Sequence, residues 1–586
     1  MKFANSVLRV FRNSPVSHTP VKGRKSRLKA RLFSRLVPLW AALFLLSGCV
    51  PLAMLPAVAP SLAAQTQVVF TPLAVTAQCT DSFIAHELDH TTDGGQKVIA
   101  LYESNGAGLA INDLDNDGDL DIVLANLNQP NTILWNEGDL SFRTQRLDFG
   151  DSRAVSLVDV DGDGWLDVVF TRRFAKPTWL HNNGQAAAAD ESGRFVAGDL
   201  PDVNNPFYAM DWADVDGDGD LDLVAGSYDT EIRKKEGGIF DYRGGGPGVF
   251  VYQRVGEGYA SARLAEQADA LTIVLTDLNG DGRPDILVGN DFDRPDYTWL
   301  ATRSGWATAH PFDAITTNTM SFDVGDVDND GSAEIFATDM TPYSHDEATI
   351  AAWQPLMRMM THPPEGDPQG MTNVLQSRDA AGRFVDDAGI SALAATGWSW
   401  SSKFGDLNND GFLDIYVVNG MIAEGMLSHL PNDELVEENQ ALRNDGQGGF
   451  EPAPEWGLGS TASGRGMTMA DLDGDGDLDI VVNNLRSPAQ LFENDLCGGA
   501  GLAVDLRSTL DKNSHAIGAQ VTLRTSIGIL QRKVRANSGY LSGEPSRLHF
   551  GLPADAAIER MVIRWPDGAV SDVGALETGV LVIVTR

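Results

Sequence analysis

The chain has 586 residues and a formal net charge of −37, with 81 acidic side chains against 44 Lys and Arg. A single hydrophobic core does not grow to this length, so several folded units or an internal repeat are expected. A surface this acidic repels nucleic acids and anionic lipids and favours divalent cations, so no nucleic-acid partner is expected.

The N-terminal segment is typical of an export signal. Residues 1–35 hold ten Lys and Arg and no acid, and an apolar stretch from Leu36 to Leu46 leads to Cys49. The ending Leu46-Ser47-Gly48-Cys49 resembles a bacterial lipoprotein signal, in which Cys49 is cut free and lipidated. Cleavage after Ala64 and a retained anchor are the alternatives, although prolines between residues 51 and 60 interrupt a spanning helix. Residues 1–64 are therefore interpreted as leader and linker, and the rest as exported.

A zinc-protease pattern follows the leader. His86-Glu87-Leu88-Asp89-His90 matches H-E-x-x-H, which binds zinc only when a helix places both histidines on one face. Turn-forming residues from Thr91 to Gly95 leave little room for that helix. Residues 81–89 also resemble residues 140–148, a segment that follows the first acidic loop. An outer β-strand is therefore predicted here, not a protease site.

A nine-residue acidic pattern occurs seven times between residues 113 and 479. Position one is Asp113, Asp159, Asp214, Asp277, Asp326, Asp406 and Asp471. Position three is Asp115, Asp161, Asp216, Asn279, Asp328, Asn408 and Asp473. Position five is Asp117, Asp163, Asp218, Asp281, Asp330, Asp410 and Asp475. Position nine is Asp121, Asp167, Asp222, Asp285, Glu334, Asp414 and Asp479.

The spacing suits a loop that wraps a hard cation such as Ca²⁺, which takes several oxygen ligands at roughly 2.4 Å. Alternate side chains of a tight loop point inward, and position seven contributes its backbone carbonyl. Position six is Gly in every copy, because this residue takes positive φ without strain. Position seven varies from Asp119 to Trp165 and Arg283, as expected if only the carbonyl binds. Up to seven Ca²⁺ ions are therefore predicted as structural cofactors.

The residues around each loop distinguish it from an EF-hand. An EF-hand closes its site with a bidentate Glu at position twelve, where this chain has apolar residues such as Leu124 and Phe170. Short apolar runs, often β-branched, follow the loops, as at 122–125, and an apolar residue lies two positions before each, as at Ile111. Each unit is therefore interpreted as strand, loop, strand, often with a third segment such as 132–138.

Four-stranded sheets repeated around an axis form a β-propeller, which closes into a ring and removes long free edges. Seven loops predict an all-β, seven-bladed β-propeller over residues 79–497. In such blades all the loops lie on one face, and the connections from the second to the third strand lie on the other.

The seven loops resemble the FG-GAP/VCBS repeats of integrin α-chain heads and of cartilage-acidic-protein-like bacterial proteins. The resemblance implies the propeller fold and structural calcium. The Phe-Gly and Gly-Ala-Pro signatures of integrin repeats are largely missing from this chain, so integrin-type ligand binding is not transferred.

The two ends of the repeat array complement each other. The last repeat ends soon after residues 490–494 and lacks an outer strand, which the segment 81–89 can supply. This closure would bring Cys79 near Cys497, and in an exported chain such a pair is a disulfide candidate. Two unpaired buried thiols are the alternative.

From Gly498 onward acidic and basic residues are nearly balanced, which marks a domain boundary. Strand-like stretches at 502–507, 520–525, 529–534, 561–565 and 580–584 predict a small C-terminal β-sandwich over residues 498–586. Its motifs are similar to the ASPIC/UnbV domain, which adds no established activity. They are Asn513, Ala516 to Ala519, Gly539 to Ser542, His549 to Leu552 and Trp565 to Gly568. Gly and turn residues dominate them, which favours a structural role.

Three long connections are predicted on the face opposite the loops, at about 227–248, 339–371 and 419–439. Long loops on a rigid scaffold often carry function. In the second of them Trp353, Met357, Met359 and Met360 form either an adaptable contact patch or a cover for the propeller itself.

The leading hypothesis is an exported, monomeric calcium-binding module that binds a protein or a glycan, attached to the membrane if Cys49 is lipidated. An enzyme, for example a carbohydrate-active one, with a site over the propeller channel is the first alternative, although no nucleophile elbow occurs. A scaffold whose C-terminal domain carries the binding is the second.

Overall fold

The computed structural model describes residues 66–74, 79–93, 99, 101–184, 193–235, 246–292, 294–360 and 366–586. The chain divides into the units Met1–Ala59 and Pro60–Arg586, and every described residue belongs to the second. The predicted leader and the lipidation candidate Cys49 lie outside the described residues. Within the described ranges, no helix is both long and apolar enough to cross a membrane.

Seven four-stranded antiparallel sheets in the described residues each contain one acidic loop, and we number them blades 1 to 7 in loop order. Blade 1 is Leu109–Asn112, Asp121–Leu124, Thr132–Asn136 and Phe142–Arg146. Blade 2 is Ser152–Val158, Asp167–Arg172, Thr178–Asn182 and Phe195–Asp199. Blade 3 is Ala209–Ala213, Asp222–Gly226, Val249–Val255 and Gly258–Ala265. Blade 4 is Ala270–Thr276, Asp285–Asn290, Tyr297–Thr302 and Gly305–Ala309.

The remaining blades follow the same pattern. Blade 5 is Ser321–Gly325, Glu334–Thr338, Val374–Arg378 and Phe384–Asp386. Blade 6 is Ser401–Gly405, Asp414–Val418, Gln440–Asn444 and Phe450–Pro452. Blade 7 is Ser463–Ala470, Asp479–Leu485, Pro488–Glu493 and, from the other end of the chain, Ile84–Thr91.

The first strands of neighbouring blades contact each other in a cyclic order that includes blade 7 against blade 1. Every acidic loop starts directly after a first strand, and its position-nine carboxylate begins the second strand. Apolar side chains of adjacent blades pack between the sheets, as Ile122 of blade 1 does with Leu491 of blade 7. The predicted all-β propeller fold is confirmed.

The segment with the zinc-protease pattern is the outer strand of blade 7. Residues Ile84–Thr91 pair antiparallel with Pro488–Glu493, as the sequence predicted. The two histidines have separate partners: His86 Nε2 lies 2.7 Å from a Glu493 oxygen, and the buried His90 contacts Thr132 Oγ1 at 2.7 Å. Next to this strand a disulfide joins Cys79 to Cys497, and therefore links the segment that completes the ring to the end of blade 7.

In four of the blades, an asparagine at or just after the end of the third strand forms a hydrogen bond to the neighbouring blade. Asn182 of blade 2 donates from Nδ2 to the carbonyl of Leu166 at 3.0 Å and to that of Leu114 in the blade 1 loop at 2.9 Å. Equivalent pairs of bonds are made by Asn136, Asn444 and Asn494. In blade 5, Arg378 reaches the Leu278 carbonyl of blade 4 at 2.5 Å.

The substitution Asn182→Ala tests this inter-blade contact. It leaves two buried carbonyls without their side-chain donor, so the free energy of unfolding should fall by about 1–3 kcal/mol. Urea unfolding followed by tryptophan fluorescence measures the loss. Asn183→Ala, at the exposed neighbouring position, is the matched control and should cost no more than about 0.5 kcal/mol. Equal losses in the two variants would contradict the assignment.

The C-terminal domain is a β-sandwich of two four-stranded sheets. One sheet contains Gly528–Lys533, Gln520–Thr525, Ile558–Arg564 and Val570–Leu576 in spatial order. The other contains Gln67–Pro72, Val580–Thr585, Ala500–Arg507 and Leu548–Leu552. The predicted small β domain is confirmed, but its edge strand Gln67–Pro72 comes from before the propeller and was not predicted.

A hairpin of the C-terminal domain enters the centre of the propeller. Its strands are Asn537–Ser538 and Ser542–Gly543, and we call residues 537–543 the channel hairpin. The Gly539 N–H donates to the Phe322 carbonyl of blade 5 at 2.8 Å, and the Gly539 carbonyl accepts from Thr272 Oγ1 of blade 4 at 2.8 Å. A Cβ on Gly539, whose φ is +66°, would lie 2.7 Å from Ser401 Oγ, so glycine is required there.

The channel hairpin contacts the innermost strands all round the ring. It packs on blade 1, and its hydrogen bonds to blades 2, 6 and 7 involve Val155, Ser401 and Met467. The motif Gly539 to Ser542, for which the sequence favoured a structural role, therefore fills the propeller axis.

The face opposite the loops carries the long connections. Helix α1, Asp229–Lys235, lies in that of blade 3, and helix α2, Glu347–Met357, in that of blade 5. Trp353 of α2 is fully buried and donates to Glu437 Oε1 at 2.8 Å, whereas Met357 and Met359 are 39% and 58% exposed. The suggested patch is thus divided, because its tryptophan covers the propeller and two of its methionines stay at the surface.

Short elements complete the described chain. Four two-stranded pairs are Ile315–Thr316 with Gln369–Gly370, Met340–Thr341 with Gly397–Trp398, Met421–Ile422 with Glu434–Leu435, and the channel hairpin. Three 3₁₀ helices in these ranges are Leu101–Glu103, Pro431–Asp433 and Pro454–Trp456.

Candidate metal centres

The carboxylate at position one accepts hydrogen bonds from backbone N–H groups of its own loop. In blade 2, Asp159 accepts from the backbone N–H of Asp163 at 3.1 Å and from that of Gly164 at 2.8 Å. Gly164 has φ of +93°, and the glycine at position six is in the same left-handed region in all seven loops. The turn therefore brings the side chains at positions one, three and five to one side.

The carboxylate at position nine fastens the loop to the sheet. Asp167 accepts from the Val160 N–H at 3.1 Å and from the Asn182 N–H of the third strand at 2.7 Å. The position-nine carboxylates of blades 1, 3, 4, 6 and 7 accept the same two backbone bonds. In blade 5, Glu334 accepts from the Val327 N–H, and the described residues show no bond from its third strand. Each carboxylate oxygen has a further lone pair with which it can accept another hydrogen bond or bind a metal ion.

Ligand atoms converge within 4.8 Å in five of the loops. The groups are Asp113, Asp115 and Asp121; Asp161, Asp163 and His181; Asp214, Asp216 and Asp218; Asp326, Asp328 and Glu334; Asp471, Asp473 and Asp475. These five clusters could hold metal ions.

The loops of blades 4 and 6 differ because Asn occupies position three. In blade 4, Arg283 lies 2.5 Å from Asp281, so a guanidinium already balances the position-five carboxylate. In blade 6, the Asn408 amide donates to Asp410 at 2.9 Å. Within the described residues, neither loop gathers three acidic or histidine ligand atoms at the spacing of the other five.

His181 is a candidate ligand that the sequence reasoning missed. It lies on the third strand of blade 2, and its Nε2 is 3.1 Å from an Asp161 oxygen. The signal was its position directly before Asn182, where blade 1 has Trp135 and blade 7 has Glu493. The register alone does not identify a ligand, because Trp135 and Glu493 contact Gln145 and His86 of their outer strands.

Burial makes these carboxylates costly to ionise without a cation. Burial, reinforced by neighbouring carboxylates, raises the pKa of Asp167 to about 8 and that of Glu334 to about 8. A divalent ion at ligand distance would favour the ionised form instead. In the blade 5 loop, Asp326 is 4% exposed and its Oδ1 has no hydrogen-bond partner, so an acceptor is available for an ion.

The C-terminal domain covers the loop face. Ser514 Oγ donates to Asp159 at 2.5 Å, and Lys512 Nζ lies 3.2 Å from Asp220 in the blade 3 loop. Arg547 donates to the Gly118 carbonyl at 2.9 Å, and His549 Nε2 contacts the Gly476 carbonyl at 3.0 Å. Several loops are therefore shielded from solvent, which increases the burial of their carboxylates.

Two family models match the chain. The model described as FG-GAP-like repeat matches residues 113–170, 159–225, 277–337 and 432–482, and the model described as ASPIC and UnbV matches residues 509–586. The first set covers loops of blades 1 to 5 and 7. The second covers most of the C-terminal sandwich together with the channel hairpin.

Similarity to curated proteins is weaker. Cartilage acidic protein 1 of Xenopus tropicalis is 28% identical over 182 residues, which is 28% of this chain and 25% of that protein. The human protein of that name is 30% identical over 168 residues, or 28% and 24% of the two chains. The matched stretch thus spans about a quarter of the length of these relatives.

Solved structures also resemble the chain. Two crystal structures of BBS1N in complex with ARL6DN, soaked with mercury or lead, cover 70% of this chain and 97% of theirs with 10% identity. Their TM-score of 0.37 is too low to support an argument. The chain therefore contains FG-GAP-like repeats in its propeller, followed by a C-terminal ASPIC and UnbV domain.

Proposed function

We propose that the protein is an exported, calcium-stabilised β-propeller that acts as a binding or adhesion module for a protein or glycan. The observation that carries the proposal is the convergence of carboxylates, most of them buried or half-buried, in five loops. Buried charges of one sign are stable only when a counter-charge is present. The weak similarity to cartilage acidic protein 1 supports a location outside the cell.

Calcium suits these loops better than magnesium. The loops offer carboxylate, amide and carbonyl oxygens in an irregular arrangement, and Ca²⁺ accepts such variable geometry, whereas Mg²⁺ demands a near-ideal octahedron. Exterior calcium saturates sites with dissociation constants of about 10⁻⁴ to 10⁻³ M. We propose up to seven ions, with those of blades 1, 2, 3, 5 and 7 bound most tightly.

Calcium should stabilise the protein strongly and magnesium weakly. A site with a dissociation constant of about 10⁻⁴ M contributes about 1.4 kcal/mol at 1 mM calcium, and several sites add to each other. Thermal melting in calcium, in magnesium and in chelator, with elemental analysis of bound metal, measures this. Asp326→Asn should remove about one ion and lower the melting temperature. Asp148→Asn, at an exposed position outside the loops, is the matched control and should change neither.

Two results would contradict the proposal. Equal melting temperatures in calcium and in chelator would exclude a structural role for the ion. Purified protein without bound calcium after dialysis against millimolar calcium would exclude the sites themselves.

The two alternatives are affected differently by the fold. An enzyme with a site over the channel would need the propeller axis, which the channel hairpin occupies. Binding by the C-terminal domain is compatible with the fold, because that domain packs on the loop face and forms one wall of the cleft described below. Lipid attachment through Cys49 and a monomeric state remain parts of the proposal.

A further inference from the structure

A cleft of about 720 Å³ lies between the C-terminal domain and the loop face of blades 3 to 7. One wall includes the loops that begin at Asp277, Asp326 and Asp406, and the other includes the end of the strand Gly528–Lys533. Sites for small molecules commonly have volumes of about 300–1,000 Å³. The cleft is therefore large enough for a ligand of about disaccharide size.

Some of the cationic side chains in the cleft are already paired. Arg535 lies 3.0 Å from Asp323 and donates to the Val324 carbonyl at 2.7 Å. Lys403 Nζ lies 2.5 Å from Glu544. These pairs hold the residues that flank the channel hairpin against blades 5 and 6.

Three other cations of the described chain line the cleft without a carboxylate at ion-pair distance, although Arg532 Nη1 donates to the Gln531 carbonyl at 2.9 Å. Nη2 of Arg532 is buried and has no hydrogen bond. In the part of the chain that the structure describes, neither the Lys533 ammonium nor the Arg564 guanidinium makes a side-chain hydrogen bond or ion pair. Arg564 is exposed and Lys533 is half-buried, so the costly group is the buried Nη2 of Arg532, where a ligand that supplies anionic oxygens would be favoured. The amides of Gln520 and Gln531 line the same wall, where Gln520 Nε2 donates to Gln531 Oε1, and the Gln520 Oε1 and Gln531 Nε2 groups can bind hydroxyl groups.

The loops control how strongly this cationic wall attracts an anion. Burial lowers the pKa of Arg532 and that of Lys533, whereas the carboxylates of Asp406 and Asp326 on the facing wall favour the charged form of Arg532 and that of Asp277 favours the charged form of Lys533. In the metal-free protein these carboxylates would repel a second anion. Calcium, held most tightly of these loops in that of Asp326, would offset part of this charge, and the cations would then face the cleft with more of their positive potential.

We propose that this cleft binds an acidic saccharide of about disaccharide size, and that it does so only when the neighbouring loops hold calcium. The proposal rests on the proposed function and specifies where that function is carried out. Arg532, Lys533 and Arg564 bind the carboxylate or sulfate groups of the sugar, while the two glutamines bind its hydroxyls.

Isothermal titration calorimetry of the whole protein tests the proposal, with a uronic-acid disaccharide and its neutral counterpart as probes. In saturating calcium the acidic sugar should bind and the neutral one should not. Lys533→Gln and Arg532→Gln should each weaken binding by about 10-fold or more. Arg524→Gln removes the same charge from an exposed position of the same sheet outside the cleft, and should leave the affinity unchanged.

The outcomes separate this inference from the calcium proposal. Calcium uptake without sugar binding would overturn the cleft assignment alone. Equal affinity for the neutral sugar, undiminished binding in chelator, or full affinity in both cleft variants would also overturn it. Absence of calcium uptake would instead overturn the proposed function. Calcium uptake and melting temperatures equal to those of the parent protein would establish that the variants are folded.

Discussion

Replacing Tyr540 by alanine is expected to lower the free energy of unfolding by about 3–5 kcal/mol, the cost of emptying a site filled by a large buried aromatic ring. Tyr540 is completely buried at the tip of the channel hairpin. Its hydroxyl lies 2.6 Å from that of Tyr208 and accepts from the Gly106 N–H at 3.0 Å, and its ring lies 5.1 Å from that of Trp400. Several blades therefore lose contacts at once.

Urea unfolding followed by circular dichroism measures this effect. Tyr540→Phe is the matched control, because it keeps the ring and removes the hydroxyl contacts, and should cost about 1–2 kcal/mol. If Tyr540→Ala unfolded at the same urea concentration as the parent, the channel hairpin would not be a stabilising element of the ring.

Replacing both Cys79 and Cys497 by serine is expected to lower the free energy of unfolding by about 5 kcal/mol. The disulfide joins residues 418 positions apart, and the chain-entropy estimate grows with the length of the closed loop. In the folded protein the two segments next to the disulfide are also joined by hydrogen bonds, such as that from the Thr80 N–H to the Asp495 carbonyl at 3.1 Å. These bonds remain in the double variant. Most of the effect therefore arises from the greater freedom of the unfolded chain.

Urea unfolding of the double variant measures this loss. The parent protein in reducing agent is the control and should unfold at the same urea concentration as the double variant, because both lack only the cross-link. Identical midpoints for oxidised parent and double variant would show that the disulfide does not constrain the unfolded chain to a significant extent.

The fold of the repeats could be predicted because its signals are local. The spacing of Asp159, Asp161 and Asp163, the glycine at position six and the apolar run after Asp167 lie within about a dozen residues. Turn geometry and strand alternation follow from such short segments. The outer strand of blade 7 could be predicted although it is distant in sequence from the rest of the blade. The last repeat lacked an outer strand, and a strand-like segment before the first repeat could supply it.

The missed features depend on contacts between distant parts of the chain. Nothing near Gly539 to Ser542 indicates that these residues enter the propeller, since Gly and Ser are also typical of surface turns. The same holds for His181 and Asn182. His181 contacts Asp161 in the acidic loop of its own blade, and Asn182 bonds to the Leu114 carbonyl in the loop of blade 1. The Val and Phe residues of Gln67–Pro72 do signal a strand, but not which sheet it joins.

The sandwich edge strand Gln67–Pro72 also affects when folding can finish, because it can pair only after the end of the chain has been synthesised. Its partner Val580–Thr585 is made about 500 residues later, which at roughly 5–20 residues per second is on the order of a minute of synthesis. During that interval both the early strand and the unclosed ring present unpaired backbone to other chains, a known route to aggregation. Long-range pairing of this kind is also slow to form. The protein is therefore most vulnerable before its last residues are available, and this is the period in which it would need chaperones.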